Sequence, residues 1–299
     1  MDRFFQYVFD GLSFGAIYAL LALGLVVVFR GTGHLNFAQG EMAMFCTFLT
    51  WQYDAWGVPL VLAVALGMIT GFALGAGTEV SLIRNVAKKS EAGEFVVSIA
   101  LFLGLNSLAG MIWGNLPPEG MASLFPDKPT DFARIFGAVW RYEYIGILVV
   151  ALALMGALFA LFAKTKFGLA MRAVASNPES ARLAGIPTGA VLASSWGIAG
   201  AMGALAGTLV AGANGEVFPG LMFSVFIYAS AAATLGGFDS PGGAVIAGLS
   251  IGVGEQLAAG YAPGWIGQEL RLGVALVIIF VVLLFKPSGL FGSVKVQRV

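Results

Sequence analysis

Cysteine and histidine are almost missing: Cys46 and His34 are each the sole residue of their kind among 299. A single cysteine excludes an internal disulfide and leaves no thiolate cluster for a metal. A single histidine leaves none of the usual His-rich or Cys/His metal sites. A Ser-His-Asp hydrolase arrangement would have to rest on His34, and no surrounding motif supports it. Charge is the third shortage. Charged residues make up 11% of the chain, against about 25% in soluble domains. With a net charge of zero there is no basic excess of the kind nucleic-acid binding needs. No Gly-x-x-x-x-Gly-Lys-Ser/Thr loop occurs, so the chain carries no phosphate cradle of that type. It is expected to bind no cofactor and no metal, and to be no enzyme.

What the chain has in plenty is apolar sequence. Hydrophobic residues reach 59%, and 42 positions are glycine. Too few charges exist to cover a water-exposed surface, whereas a bilayer-facing surface needs none. Crossing about 30 Å of hydrocarbon takes roughly 20 mostly apolar residues at about 1.5 Å each. Candidate segments fall near 12–29, 37–53, 58–78, 95–113, 144–163, 190–213, 218–235, 242–259 and 270–285. The second and seventh are short and polar at one end, which makes them candidates for broken or re-entrant segments. The first ten residues hold Asp2, Arg3 and Asp10 and lack the positive start of a signal peptide, so the run from Leu12 is read as a retained span. The expected fold is all-α: a polytopic transmembrane bundle of eight to nine segments, residues 1–299 forming one domain.

Basic residues orient such a bundle, because cytoplasmic loops collect Lys and Arg. With the N-terminus outside, the inner loops hold Arg30, Arg84, Lys88, Lys89, Lys164, Lys166, Arg172, Arg182, Lys286, Lys295 and Arg298. The outer loops then hold only Arg3, Lys128, Arg134, Arg141 and Arg271. The bias favours N-terminus outside and C-terminus inside. The Gly-x-x-x-Gly pairs Gly71/Gly75, Gly203/Gly207 and Gly248/Gly252 form flat helix faces suited either to packing within the chain or to a subunit interface.

The longest inner loop, Lys164 to Thr188, predicts two short amphipathic helices. Phe167, Leu169, Met171 and Val174 give the first an apolar stripe. Asn177-Pro178 then starts a second helix carrying Glu179 and Arg182, with Gly185 as its stop. Such a pair either lies on lipid headgroups or docks a cytoplasmic partner. Asn36, Gln39 and Glu41 sit at the entry to the second segment, and Glu255 lies near the outer end of the eighth. Polar groups inside a bilayer, acids above all, are costly and normally face the bundle interior or water, so Asn36, Gln39, Glu41 and Glu255 are candidate pathway or gate residues. Glu41 is equally placed to cap a helix N-terminus. The outer loop from Gly114 to Tyr142, with Pro117, Pro118, Pro126 and Pro129, is either a receptor-docking platform or a connection.

Glu179-Ser180-Ala181 followed by Gly185 resembles the Glu-Ala-Ala, three residues, Gly core by which ATP-binding-cassette importer permeases engage their ATPases, departing from it at Ser180. Four further stretches resemble the branched-chain amino acid (LivH-type) permeases: GLSFGAIYAL from Gly11, LNFAQGEM from Leu35, TLGGFDSPGGAVIAGL from Thr234 and KPSGLFG from Lys286. The resemblance implies a multi-pass permease of a bacterial inner membrane that imports branched-chain or hydrophobic amino acids, or related solutes such as urea and short amides. It implies three kinds of partner: a second, related permease, two cytoplasmic ATPases that use ATP and Mg, and a periplasmic substrate-binding protein. It also makes residues 164–188 the coupling loop, with Arg172, Asn177, Glu179, Ala181, Arg182 and Gly185 as its working residues. A self-sufficient facilitator or channel for small solutes is the alternative.

Overall fold

Proline positions punctuate the chain. In the computed structural model, which describes residues 2–87, 91–114, 120–261, 270–286 and 288–292, Pro178 and Pro241 open helices and Pro59 and Pro187 immediately precede them. Proline has no N–H to lose at a first helical turn, and its fixed φ suits that position.

The helices are α1 (Asp2–Thr32), α2 (Gln39–Ala55), α3 (Leu60–Thr78), α4 (Arg84–Ala87), α5 (Glu91–Trp113), α6 (Tyr142–Lys164), α7 (Lys166–Ser176), α8 (Pro178–Leu183), α9 (Thr188–Asn214), α10 (Phe223–Gly236), α11 (Pro241–Tyr261) and α12 (Leu270–Phe285). A π-helical turn, Glu79–Ile83, joins α3 to α4. The all-α expectation is met, with one small addition. Strands β1 (Phe132–Ile135) and β2 (Ala138–Arg141) pair antiparallel around a tight turn at Phe136 and Gly137.

Six helical stretches among the described residues are long and apolar enough to cross a membrane: Asp2–Thr32, Leu60–Ala87, Ala92–Trp113, Tyr142–Lys164, Thr188–Asn214 and Pro241–Tyr261. α2 has 17 residues and α10 has 14, about 25 Å and 21 Å of helix at 1.5 Å per residue. Both fall short of the hydrocarbon thickness. Apolar side chains stand exposed along α5 (Leu103, Met111) and α12 (Phe280, Phe285), as a lipid-facing surface requires. Of the residues used above for orientation and loop character, Lys88, Lys89, Pro117, Pro118, Lys295 and Arg298 lie outside the described residues, as does Pro287 of the last signature.

The residues divide into two compact units. The first comprises Met1–Val26, Phe125–Val149 and Ser224–Val299. In it α1 and α11 cross at glycine. A Cβ on Gly248 would lie 2.6 Å from the Ala19 backbone, and one on Gly15 would lie 2.9 Å from that of Leu249. The hairpin packs on the first turns of α1: the Val139 N–H donates to Gln6 Oε1 at 2.9 Å, and Trp140 stacks on Phe9 with centroids 4.6 Å apart. These contacts explain why α1 starts ten residues before the apolar run at Leu12.

The second unit comprises Val27–Leu124 and Val150–Phe223. Its centre is the contact of α3 with α9. A Cβ on Gly71 would lie 2.6 Å from the Gly200 carbonyl oxygen, and one on Gly75 would overlap the carbonyl of Trp196. Gly203 and Gly207 meet Ala43 and Thr47 of α2 in the same way. The pairs Gly71/Gly75, Gly203/Gly207 and Gly248/Gly252 are therefore spent on packing within the chain. Around them Val28, Ala38, Met42, Ile83, Leu105, Trp196 and Ala199 form an apolar cluster.

Candidate functional site

Thr165 lies at the start of the 164–188 coupling-loop candidate, its Oγ1 accepting the Gly168 N–H at 3.1 Å to cap α7. Asn177 ends α7 and caps α8, its Oδ1 accepting the Ser180 N–H at 2.9 Å. Both caps satisfy first-turn donors that no helix can satisfy itself. At the far end Gly185, with φ of +79°, closes α8 in a left-handed turn. There the Gly185 N–H donates to the Arg182 carbonyl and the Ile186 N–H to that of Ala181, both at 3.0 Å. This paired termination is the Schellman arrangement, which favours glycine.

The two predicted amphipathic helices are thus present with the predicted breaks. Residues three and four apart share a helix face, so Glu179, Arg182 and Leu183 stand together, and all are exposed, Leu183 by 90%. Ala181 is buried on the opposite side, where α8 packs on α7 and α9. Arg172 points back along the chain, donating to the Phe162 carbonyl at 2.8 Å. Five of the six coupling candidates are therefore solvent-facing or engaged locally, and Ala181 anchors the helix.

The pathway candidates divide between the units. In the second unit Asn36 donates to Gln39 Oε1 at 3.1 Å, and Gln39 donates to the Ala199 carbonyl at 2.8 Å. The Asn36 side-chain oxygen accepts the Ala38 N–H at 3.0 Å. This polar chain ties the entry of α2 to the middle of α9. Glu41, 1% exposed, lies in the first turn of α2 and accepts from Asn106 of α5 at 3.0 Å. It lies where the helix dipole favours a negative charge, and its side-chain partner stands across on α5. Glu255 belongs to the first unit, where Tyr18 donates to it at 2.7 Å and stacks on Tyr228 at 4.8 Å.

Several partners are not legible in the chain alone. Asn106 is a single amide in an apolar helix, a signal that intramembrane polarity could have raised. His34 pairs with Glu94 at 3.1 Å. Buried Glu79 receives the Arg84 guanidinium, with Nε 3.0 Å from Oε1, and Arg84 also donates to the Gly189 carbonyl at 2.6 Å. Among the described residues no three His, Cys, Asp or Glu side chains are grouped to hold a metal.

Three of the four sequence signatures meet in the first unit. Gly15 and Ala19 of GLSFGAIYAL contact Leu249 and Gly248 of TLGGFDSPGGAVIAGL. The Leu290 N–H of KPSGLFG donates to the Leu235 carbonyl at 2.7 Å, and a Cβ on Gly289 would lie 2.5 Å from Gly237. Gly237 and Gly289 have φ of +98° and +77°, which glycine alone adopts without strain.

Comparison with known proteins gives a consistent result. Residues 7–283 match the family described as branched-chain amino acid transport system / permease component. The chain is 29% identical to the high-affinity branched-chain amino acid transport system permease protein BraD of Pseudomonas aeruginosa, over 99% of this chain and 98% of that protein. It is 30% identical to the corresponding permease protein LivH of Escherichia coli K12, over the same shares. A probable branched-chain amino acid transport permease protein of Methanocaldococcus jannaschii is 28% identical over 91% of this chain and 88% of its own length. No solved structure matches.

Proposed function

The chain belongs to the branched-chain amino acid transport permease family, and from that premise we propose that it is the transmembrane permease subunit of an ATP-binding-cassette importer for branched-chain or other hydrophobic amino acids, or related small solutes. The full-length likeness to permease proteins of that transport system carries the reading. Residues 1–299 act as one permease domain of eight to nine membrane segments in a bacterial inner membrane, N-terminus outside and C-terminus inside. Within it the short α2 and α10 are broken segments.

Energy arrives through residues 164–188. The support is physical: α8 is capped at both ends, anchored by Ala181 and exposed along Glu179, Arg182 and Leu183. A rigid helix with one packed face can receive a push and pass it to the helices beneath. Arg172, Asn177 and Gly185 hold its shape. Asn36, Gln39, Glu41 and Glu255 act at the pathway or its gate, where buried polar groups can exchange partners as the bundle changes state. ATP and Mg are used by two partner ATPases, a related second permease completes the transmembrane pair, and a periplasmic binding protein supplies substrate.

Mild detergent extraction followed by identification of co-purifying proteins is the first test. Two ATPases and a second permease are expected. The decisive companion is flux into vesicles holding this chain alone without nucleotide. Fast, selective uptake there would establish a self-sufficient facilitator and end the ATP-driven reading.

A further inference from the structure

We propose that Arg84 is the positioning residue through which movement of α8 is passed to α3; this rests on the reading of α8 as the element that receives ATPase work. The link from α8 to α9 is short. Only residues 184–187, Gly185 and Pro187 among them, separate the two helices. Displacement of α8 is therefore felt first at Gly189, in the opening turn of α9.

Gly189 is where Arg84 is attached. Its carbonyl accepts from Arg84 Nη2 at 2.6 Å. A Cβ on Gly189 would lie 3.2 Å from the Arg84 Cζ and Nη1, so glycine is what allows the guanidinium to lie so close. The same guanidinium is forked onto Glu79, whose side chain is 2% exposed. A planar fork can hold a carboxylate and a backbone carbonyl at once, which a lysine ammonium does far less well. The π-helical turn Glu79–Ile83 places donor and acceptor on one side of the helix although they are five residues apart. Such turns bulge an α-helix by one residue and re-aim the side chains beyond the bulge.

The second attachment of α9 to the same continuous helical stretch, Leu60–Ala87, is the glycine crossing at Gly71/Gly200 and Gly75/Trp196. Backbones in direct contact cannot slide past one another without separating. Nine residues lie from Gly75 to Arg84, about 13 Å of helix. The crossing is thus a pivot, and Arg84 is a tie roughly 13 Å away on the side nearer α8. With both in place, a tilt of the α9 start carries the end of α3 along. With the pivot alone, α9 tilts while α3 stays.

The test uses the complete transporter in proteoliposomes with binding protein and leucine outside and ATP inside. Uptake and ATP hydrolysis are measured together, and assembly is checked by co-purification. In Arg84→Ala, uptake per ATP should fall about tenfold, the weight of one charge-assisted hydrogen bond, with hydrolysis and assembly retained. Arg84→Lys should recover little of it. Gly189→Ala, which crowds the guanidinium without touching the charge, should lose coupling in the same direction. Unchanged uptake per ATP in Arg84→Ala and Gly189→Ala overturns the inference. So does loss of assembly in Arg84→Ala together with normal coupling in Gly189→Ala, since Arg84 would then be holding structure only. If the wild-type complex takes up none of leucine, other hydrophobic amino acids, urea or short amides with ATP, the functional reading fails instead, and the two failures are told apart by that control.

Discussion

Asn106 of α5 donates a 3.0 Å hydrogen bond to Glu41 of α2, joining two residues 65 positions apart across otherwise apolar helices. Glu41 is buried, so the amide satisfies a carboxylate that water does not reach freely.

Replacing Asn106 by Leu should therefore cost about 1–3 kcal/mol of stability, the penalty for leaving a buried acceptor short of a donor. Glu41→Gln alone should cost less, because a neutral amide can still accept from Asn106. Thermal unfolding of the two single variants and the double variant in detergent gives a coupling energy. Strict additivity would show that the bond contributes nothing.

The contact of α3 with α9 makes a sharper prediction. Gly71→Ala forces a methyl to within 2.6 Å of the Gly200 carbonyl oxygen, and Gly75→Ala forces one into the Trp196 carbonyl. Each should destabilise by about 1–3 kcal/mol, as overpacking does. Gly254→Ala, where a Cβ would meet no atom within 4 Å, is the control and should be neutral or slightly stabilising. Equal melting shifts in all three would contradict the close approach.

The exposed face of α8 separates recognition from stability. Leu183→Glu should leave the melting of the isolated permease unchanged while reducing recovery of the ATPases on co-purification. Glu179→Ala should lower uptake per ATP with assembly intact. Normal uptake in the Glu179 variant together with normal ATPase recovery in the Leu183 variant would remove α8 from the coupling route.

Tyr18 and Glu255 offer a fourth measurement. Tyr18→Phe deletes only the hydroxyl that donates to Glu255 at 2.7 Å, keeping the ring that stacks on Tyr228. The expected loss is about 1–3 kcal/mol for a hydrogen bond to a buried carboxylate. Tyr18→Leu, which removes the ring as well, should lose more. An unchanged melting temperature in Tyr18→Phe would mean that the phenol–carboxylate bond is not formed in the folded protein.

Much of this architecture can be read along the chain, because helix periodicity, proline position and apolar length are local properties. Each of the nine apolar segments overlaps a helix of the structure, and the breaks at Asn177, Gly185 and Pro187 fall where capping chemistry places them. The exposed character of Glu179 and Arg182 follows from the same local rules. The chain alone also singled out Asn36, Gln39, Glu41 and Glu255 as polar groups in apolar surroundings.

Their partners were another matter. Nothing local links Glu41 to Asn106, Gln39 to the Ala199 carbonyl, or Arg84 to Gly189, because these pairs lie 65, 160 and 105 residues apart. The Gly-x-x-x-Gly pairs show the same division. Spacing alone gives each a flat face, since four residues nearly complete one turn, but a flat face suits a neighbouring helix of the same chain as well as one of a second subunit. Only the folded arrangement, which sets Gly71 on Gly200, Gly207 on Thr47 and Gly252 on Gly15, assigned those faces to internal packing. Sequence determined which stretches are helical and which groups are out of place in lipid; tertiary structure decided what each meets, because contact depends on how separate helices cross and not on the order of residues along them.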